Sequence, residues 1–143
     1  MLVKQISIFL ENKSGRLAEV TKVLEDNRID IGALSLADTT DFGILRLIVN
    51  DPDGAKRILK DNDFTVSCTD VIAVAVPDRP GGLARALEIL NKESVEIEYM
   101  YAFVGRAEDV ALVILRVENP ADAADKLLRN GVRVLPSQQV YKL

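Results

Sequence analysis

The sequence predicts an α+β protein made of two βαββαβ repeats, each with an antiparallel sheet and with both helices on one face of that sheet. Two observations lead to this prediction: the chain repeats itself, and each half alternates strand-like with helix-like hydrophobic patterns. Composition agrees, because 48% of the 143 residues are hydrophobic and 28% are charged, as is typical of an ordered fold with an apolar core.

The repeat is clearest around Gly15 and Gly81, which are 66 residues apart. Further matches at this offset are Leu17 with Leu83, Leu24 with Leu90, Ile29 with Val95, and Ile31 with Ile97. The offset grows to 68 at Asp51-Pro52 and Asn119-Pro120. The hairpin that precedes this pair is therefore two residues longer in the second half than in the first. The repeat therefore predicts two domains, residues 1–70 and 71–143, with no flexible linker between them.

The elements of the first half follow from hydrophobic spacing. Ile6, Ile8 and Leu10 alternate along one strand face. Ser14 is the predicted N-cap of the next helix, whose apolar residues recur at helical spacing. The remaining predicted elements are strands at residues 29–37 and 42–49, a helix that begins at Asp51-Pro52, and a strand through Phe64, Val66 and Cys68.

The second half repeats this order. Its predicted elements are a strand at residues 71–76, a helix with Leu83, Ala86, Leu87 and Leu90, strands at residues 95–104 and 110–117, a helix that opens at Asn119-Pro120, and a strand through Val132 and Val134. Gly131 suits the end of the last helix. Val140 and Tyr141 are predicted to extend the final strand or to form one more edge strand.

Several strands are apolar on both faces, which is unusual for a sheet with one face in water. In the strand at residues 42–49, Ile44 and Ile48 lie on one face, and Leu45 and Leu47 lie on the other. We therefore expect the second sheet face to be covered by the other repeat, by another chain or by both. Exposed sheet edges favour a homodimer for the same reason.

Composition and charge argue against several classes of function. The net charge is −4, so phosphate neutralisation on a nucleic acid and binding to an acidic membrane surface are both disfavoured. Histidine is absent and Cys68 is the single cysteine, so there is no internal disulfide and no cysteine-based metal motif. We expect no cofactor and no bound metal. The amino terminus leads directly into a strand pattern without a signal peptide, which predicts a cytoplasmic protein.

The first strand-to-helix turn of each half is the segment in which a binding site is predicted. Each turn places a short polar residue, Asn12 or Asp78, three positions before a glycine that opens a helix. The first N–H groups of a helix have no internal partners and favour an anion, and a glycine lets a ligand approach the backbone closely. On the next strand, Asp30 and Glu96 hold equivalent positions. The turn can therefore bind a carboxylate, and the polar side chains can bind an ammonium group.

These turns also have a purely structural interpretation, since Ser-Gly and Pro-Gly pairs often serve only as turns and caps. The aromatic residues Tyr99, Tyr101 and Phe103 share one strand face and either pack in a core or interface or line an apolar pocket. Cys68 is predicted to be a small core residue.

The two turn sequences, residues 11–20 and 78–84, each followed by Ile29-Asp30-Ile31 or Val95-Glu96-Ile97, resemble the ACT domain family. Those domains are ferredoxin-like βαββαβ modules that bind amino acids and regulate metabolic enzymes or transcription. The resemblance covers essentially the whole chain twice, and is nearest to short tandem ACT proteins without an attached enzyme. Asp30 and Glu96 depart from the asparagine that is frequent at this place in the family.

The resemblance implies a regulatory protein that binds a free amino acid and that acts on an enzyme in trans. The apolar surroundings suggest a ligand with a branched-chain or aromatic side chain. The expected ligand-binding residues are Asn12, Ser14, Gly15, Arg16, Leu17, Asp30, Asp78, Pro80, Gly81, Gly82, Leu83 and Glu96. Three alternatives stay open: a structural dimerisation module with degenerate pockets, an enzyme on the same fold, and an RNA-binding sheet. The enzyme lacks a convincing nucleophile–base pair. The RNA-binding sheet lacks basic charge, and the third-strand segments 43–49 and 110–116 contain no aromatic residue.

Overall fold

The computed structural model of the chain describes residues 2–11, 15–38, 41–105 and 109–143. Its elements, in chain order, are β1 (Val3–Glu11), α1 (Arg16–Asp26), β2 (Ile31–Asp38), β3 (Phe42–Val49), α2 (Pro52–Asp61), β4 (Thr65–Pro77), α3 (Gly82–Lys92), β5 (Ile97–Ala102), β6 (Val110–Val117), α4 (Pro120–Arg129), β7 (Arg133–Val134) and α5 (Ser137–Tyr141). The order βαββαβ occurs twice, and β4 serves both as the last strand of the first repeat and as the first strand of the second.

Each repeat forms an antiparallel sheet with the strand order of a ferredoxin-like fold, as the sequence predicts. In the first repeat the order is β2-β3-β1-β4, and Ile6 of β1 lies opposite Leu47 of β3. In the second repeat β4 lies between β6 and β7, and β5 pairs with the far side of β6. Strand β2 is therefore an edge strand in the first repeat, and β5 is one in the second.

Each repeat has its own apolar core between the sheet and the two helices. The core of the first repeat includes Ile6 and Leu47 from the strands and Leu24 and Leu59 from the helices. The core of the second includes their equivalents from β4, β6, α3 and α4. Most apolar residues whose spacing predicts each helix lie on the face that the helix buries, but Leu17 of α1 is 41% exposed.

The second helix of each repeat begins at the proline that the sequence indicates. Helix α2 has an Asp51 N-cap whose Oδ1 accepts a hydrogen bond from Gly54 N–H at 3.1 Å, with Pro52 in the first turn. Helix α4 opens at Asn119 and Pro120, but the Asn119 side chain makes no capping hydrogen bond. Gly131 follows α4 with a φ of 80°, in the left-handed region that ends many helices.

The structure corrects two strand predictions. The sequence predicts separate strands on either side of residue 70, but β4 runs without interruption from Thr65 to Pro77. Val140 and Tyr141 do not form a strand, because Pro136 starts a helical turn in which its carbonyl accepts hydrogen bonds from Gln139 and Val140 N–H. Val140 of α5 is buried.

The chain divides into two compact units, one with residues 4–69 and 141–143, the other with residues 70–140 and the amino-terminal residues up to Val3. In the first of these units, the Tyr141 hydroxyl accepts a hydrogen bond from Lys4 N–H at 2.8 Å. The assignment of residues 1–70 and 71–143 as two domains stays a prediction.

The sheet face opposite the helices contains buried residues in both repeats. Ile48 and Ile114 lie on this face and are 1% and 0% exposed. The apolar pattern on both strand faces therefore predicts burial correctly at these positions. Phe9, which lies opposite Ile44 on the same face, is 46% exposed, so part of this face is accessible in the single chain.

Candidate functional site

The turn between β4 and α3 holds the predicted site residues of the second repeat other than Glu96. Gly81 is the N-cap of α3, with φ 91° and ψ −15°, a left-handed conformation that glycine adopts without strain. A Cβ added to Gly81 would meet no atom within 4 Å, so the space beside this residue is open. Asp78 and Pro80 are exposed in the same turn.

Hydrogen bonds within the turn leave several helix N–H groups without partners. Asp78 N–H donates to the Asp109 carbonyl at 2.9 Å, and Gly82 N–H donates to the Arg79 carbonyl at 3.1 Å. In the described part of the chain, the N–H groups of Leu83 and Ala84 have no such acceptor, as is usual for the first turn of a helix. These groups can bind an anion at the start of α3.

The first repeat shows the same glycine geometry at the turn between β1 and α1. Gly15 is the N-cap of α1, with φ 87° and ψ −10°, and its Cβ position is also open. The left-handed Gly15, and not the predicted Ser14, holds the N-cap position of α1. Ser14 and the predicted ligand residue Asn12 lie outside the described residues.

Arg16 is a predicted ligand contact, yet it already has partners in the first repeat. Its Nη1 donates to Glu19 Oε2 at 2.7 Å, and its guanidinium carbon lies 4.4 Å from the centre of the Phe64 ring. Such a stacked, ion-paired guanidinium is held in place by cation–π and electrostatic attraction. Leu17, by contrast, is 41% exposed, and its equivalent Leu83 is partly buried.

Asp30 and Glu96 do not lie near the turn of their own repeat. Glu11, at the turn, pairs with Phe42, whereas Asp30 N–H donates to Asn50 Oδ1 at 2.9 Å. The stretch from Phe42 to Asn50 spans about 25 Å of strand. Because β1 and β2 run in the same direction, the helix between them returns the chain to the other end of the sheet. The expectation that Asp30 faces the turn within one repeat is therefore wrong.

The second repeat has the same register. Pro77 at the turn pairs with Val110 at one end of β6, and Ile97 pairs with Val117 at the other end. Glu96 lies at that far end and lines a polar cavity of about 330 Å³. Lys126 also lines this cavity, and its Nζ contacts Asp122 Oδ2 at 3.0 Å and donates to the Glu93 carbonyl at 3.2 Å.

Two arginines that sequence reasoning missed line another cavity. Arg85, in the first turn of α3, and Arg133, at the start of β7, line this cavity together with Gly82. Aligning the two repeats could have indicated these arginines, because the first repeat has Glu19 and Thr65 at the matching positions.

The aromatic rings of β5 pack on one another. Tyr99 and Tyr101 have ring centres 6.5 Å apart at an interplanar angle of 17°, and both are partly buried. They lie on the sheet face opposite the helices, since Tyr101 pairs with Ile114. Cys68 is partly buried against the core of the first repeat.

In the described ranges, no helix is long and apolar enough to cross a membrane. The same residues contain no group of three or more acidic or cysteine side chains placed to hold a metal ion.

Two ferredoxin-like repeats, each opening its first helix on a left-handed glycine, define the chain as a tandem ferredoxin-like protein. It belongs to the ACT domain pair family, whose model matches residues 1–143. The crystal structure of protein BT0572 from Bacteroides thetaiotaomicron has a TM-score of 0.94 and 48% sequence identity, and the match covers 100% of this chain and 98% of that one.

More distant structures share the fold. The regulatory subunit of aspartate kinase from Thermus thermophilus, in its ligand-free form, has a TM-score of 0.65 at 14% identity, with 91% of this chain and 94% of that chain covered. The corresponding subunit from Thermus flavus has a TM-score of 0.63 at 16% identity, with 96% and 92% covered. No curated protein is significantly similar in sequence.

Proposed function

We propose that this chain is a regulatory protein that binds a free amino acid at the β1–α1 and β4–α3 turns and transmits binding to an enzyme in trans. One observation carries the proposal: in an ACT domain pair, both turns place an exposed left-handed glycine at a helix start, and no described side chain caps either start. Helix α2 differs, because Asp51 occupies its first turn with a capping carboxylate.

The carboxylate of the amino acid binds the open N–H groups at the start of α1 or α3. Substitution at Gly15 or Gly81 would put a side chain into the space through which the ligand approaches, since that space is empty in both repeats. The partial positive charge at a helix start stabilises the bound anion.

The ammonium group requires an acceptor, and a second copy of the chain is the proposed source. Asp30 and Glu96 are exposed carboxylates about 25 Å from the turn of their own repeat, as the strand register requires. A homodimer that places such a carboxylate beside the turn of a partner subunit completes the site. Leu34 and Leu36 on the edge strand β2 are 45% and 52% exposed, which supports burial of this edge in a dimer.

The test is thermal denaturation of the full chain with each of the twenty amino acids at millimolar concentration. A ligand at one hundred times its dissociation constant stabilises the folded state by about 2.7 kcal/mol, which raises the midpoint by several degrees. One chemical class of amino acid should give this rise, and Gly81→Val should reduce it.

Gly131→Val is the matched control, because Gly131 has a similar φ of 80° and equally open surroundings but lies outside the two turns. Both variants lose stability through backbone strain, and only Gly81→Val should lose part of the response to the ligand. If no amino acid shifts the midpoint of the unmodified chain, the proposal fails, and a structural dimerisation module becomes the better interpretation.

A further inference from the structure

A cavity of about 290 Å³ opens in the second repeat between the start of α3, the end of β4 and the start of β7. Its apolar lining consists of Ala75, Val76, Pro77, Ala86, Val110 and Val132. Ligand pockets begin at about 300 Å³, so this volume suits a small molecule. Two arginines, Arg85 and Arg133, also line this cavity.

The first repeat provides an internal comparison, because the helix ends that border this region match in detail. Asn62 and Asn130 each donate from Nδ2 to the carbonyl four residues earlier at 2.8 Å. Asp63 and Gly131 follow them with φ values of 66° and 80°. Phe64 of the first repeat therefore occupies the place that Val132 occupies in the second.

The second repeat has smaller side chains at this place. Phe64 corresponds to Val132, and Arg16, which stacks on the Phe64 ring, corresponds to Gly82. The matching position on the helix also becomes smaller, since Val20 corresponds to Ala86. The cavity therefore lies beside positions at which the first repeat has a stacked pair, Arg16 on Phe64.

The charge of this place also differs between the repeats. Glu19, the ion-pair partner of Arg16, corresponds to Arg85, and Thr65 corresponds to Arg133. None of the described residues that line the cavity is acidic. Within the described chain, neither Arg85 nor Arg133 forms an ion pair with a carboxylate.

We infer that this cavity binds a small monocarboxylate with a branched apolar body and no ammonium group, such as a branched-chain 2-oxo acid. The carboxylate pairs with Arg85 and Arg133, as guanidinium groups favour, and the apolar body packs against Ala86 and Val132. An amino acid of the same skeleton is disfavoured, because its ammonium group would lie near two guanidinium groups without a carboxylate acceptor. This site lies within one repeat and needs neither the open side of Gly81 nor a second copy of the chain.

The experiment titrates the full ¹⁵N-labelled chain with 4-methyl-2-oxopentanoate and, separately, with leucine, and follows amide shifts by NMR. The oxo acid should shift the amides of Ala86 and Val132 in a saturable way, and leucine should shift them at least tenfold more weakly. Equal responses to both ligands would overturn the proposed specificity. No saturable shift with the oxo acid would overturn the site itself.

Two variants locate the binding. Val132→Phe introduces the side chain of the first repeat and should abolish these shifts. Arg85→Gln changes an exposed residue, is therefore tolerated by the fold, and should weaken binding about tenfold. Arg57→Gln, a change of another exposed arginine on α2, should leave binding unchanged. If Arg85→Gln binds the oxo acid with unchanged affinity, the inference is wrong, even if Val132→Phe fails to fold. None of these outcomes depends on whether an amino acid binds at the two glycine turns.

Discussion

The guanidinium of Arg16 lies 4.4 Å from the centre of the Phe64 ring and pairs with Glu19 at 2.7 Å. This contact joins the first turn of α1 to the segment that follows α2. It fixes a side chain beside Gly15, where a ligand is proposed to bind. The first repeat is therefore more closely packed at this place than the second, in which Gly82 and Val132 take the corresponding positions.

Phe64→Val introduces the side chain of the second repeat into the first. Phe64 is 6% exposed in the core, so we expect the free energy of unfolding to fall by about 2 kcal/mol from lost packing. Urea denaturation measures this change. Phe9→Val, at a residue that is 46% exposed, is the control and should change stability by much less. Equal losses in the two variants would contradict a packed role for Phe64.

Asp51→Ala tests the cap of α2. The Asp51 carboxylate accepts a hydrogen bond from Gly54 N–H, so its loss should lower the free energy of unfolding by about 1 kcal/mol. Asn119→Ala at the equivalent start of α4 removes a side chain that makes no capping bond and should have little effect. Chemical denaturation measures the free energy of unfolding of both variants. A similar decrease in Asn119→Ala would show that the hydrogen bond to Asp51 does not cause the decrease in Asp51→Ala.

Gly82→Ala and Gly81→Ala separate close approach from backbone strain in the same turn. A Cβ on Gly82 would clash with the Pro77 carbonyl oxygen, a backbone atom that cannot move aside alone. A Cβ on Gly81 meets no atom but requires a left-handed alanine, at a loss of about 1–2 kcal/mol. We expect the larger loss of thermal stability for Gly82→Ala. The reverse order would mean that the turn relaxes away from Pro77.

The ion pair between Lys4 and Asp53 predicts a pH effect at high pH. The hydrogen bond that Lys4 donates to Asp53, together with the negative charge of Asp53, raises the pKa of Lys4 above its usual 10.5. A raised pKa stabilises the fold below pH 10.5, and this contribution is lost as the pH rises through the raised value. Both side chains are exposed, so the effect on stability is small.

The measurement is an NMR titration of the Lys4 side chain. In Asp53→Asn the pKa of Lys4 should return toward its usual value. Lys22 is an internal control, because hydrogen bonding to Asp26 raises its pKa and the substitution leaves that pair in place. If the pKa of Lys4 is unchanged in Asp53→Asn, Asp53 is not what raises it.

Hydrophobic spacing predicts the elements with regular patterns best. The strands at residues 42–49 and 110–117 have the predicted bounds, because each is apolar apart from one arginine and ends at clear turn signals. The continuity of β4 is missed, since polar residues near Thr69 look like a boundary between repeats. The short helix α5 is missed because an apolar pair such as Val140-Tyr141 is compatible with both a strand and a helix.

The candidate site is predicted in part. The two glycine turns carry a local signal that sequence can show, and both glycines have the left-handed geometry that makes them useful. The placement of Asp30 depends on strand direction, which a spacing of 18 residues does not reveal. The cavity beside Arg85 depends on side chains that are small at several distant positions, and only the folded chain brings these positions together.

The unbroken strand β4 also affects how a protease would attack this protein. Proteases cut extended, accessible segments that can leave the fold, and the junction near Thr69 and Asp70 instead lies inside a strand of 13 residues. Limited digestion should therefore spare the midpoint of the chain. Isolating a single ACT repeat would require cutting through this strand, and each half would then start or end with a truncated strand.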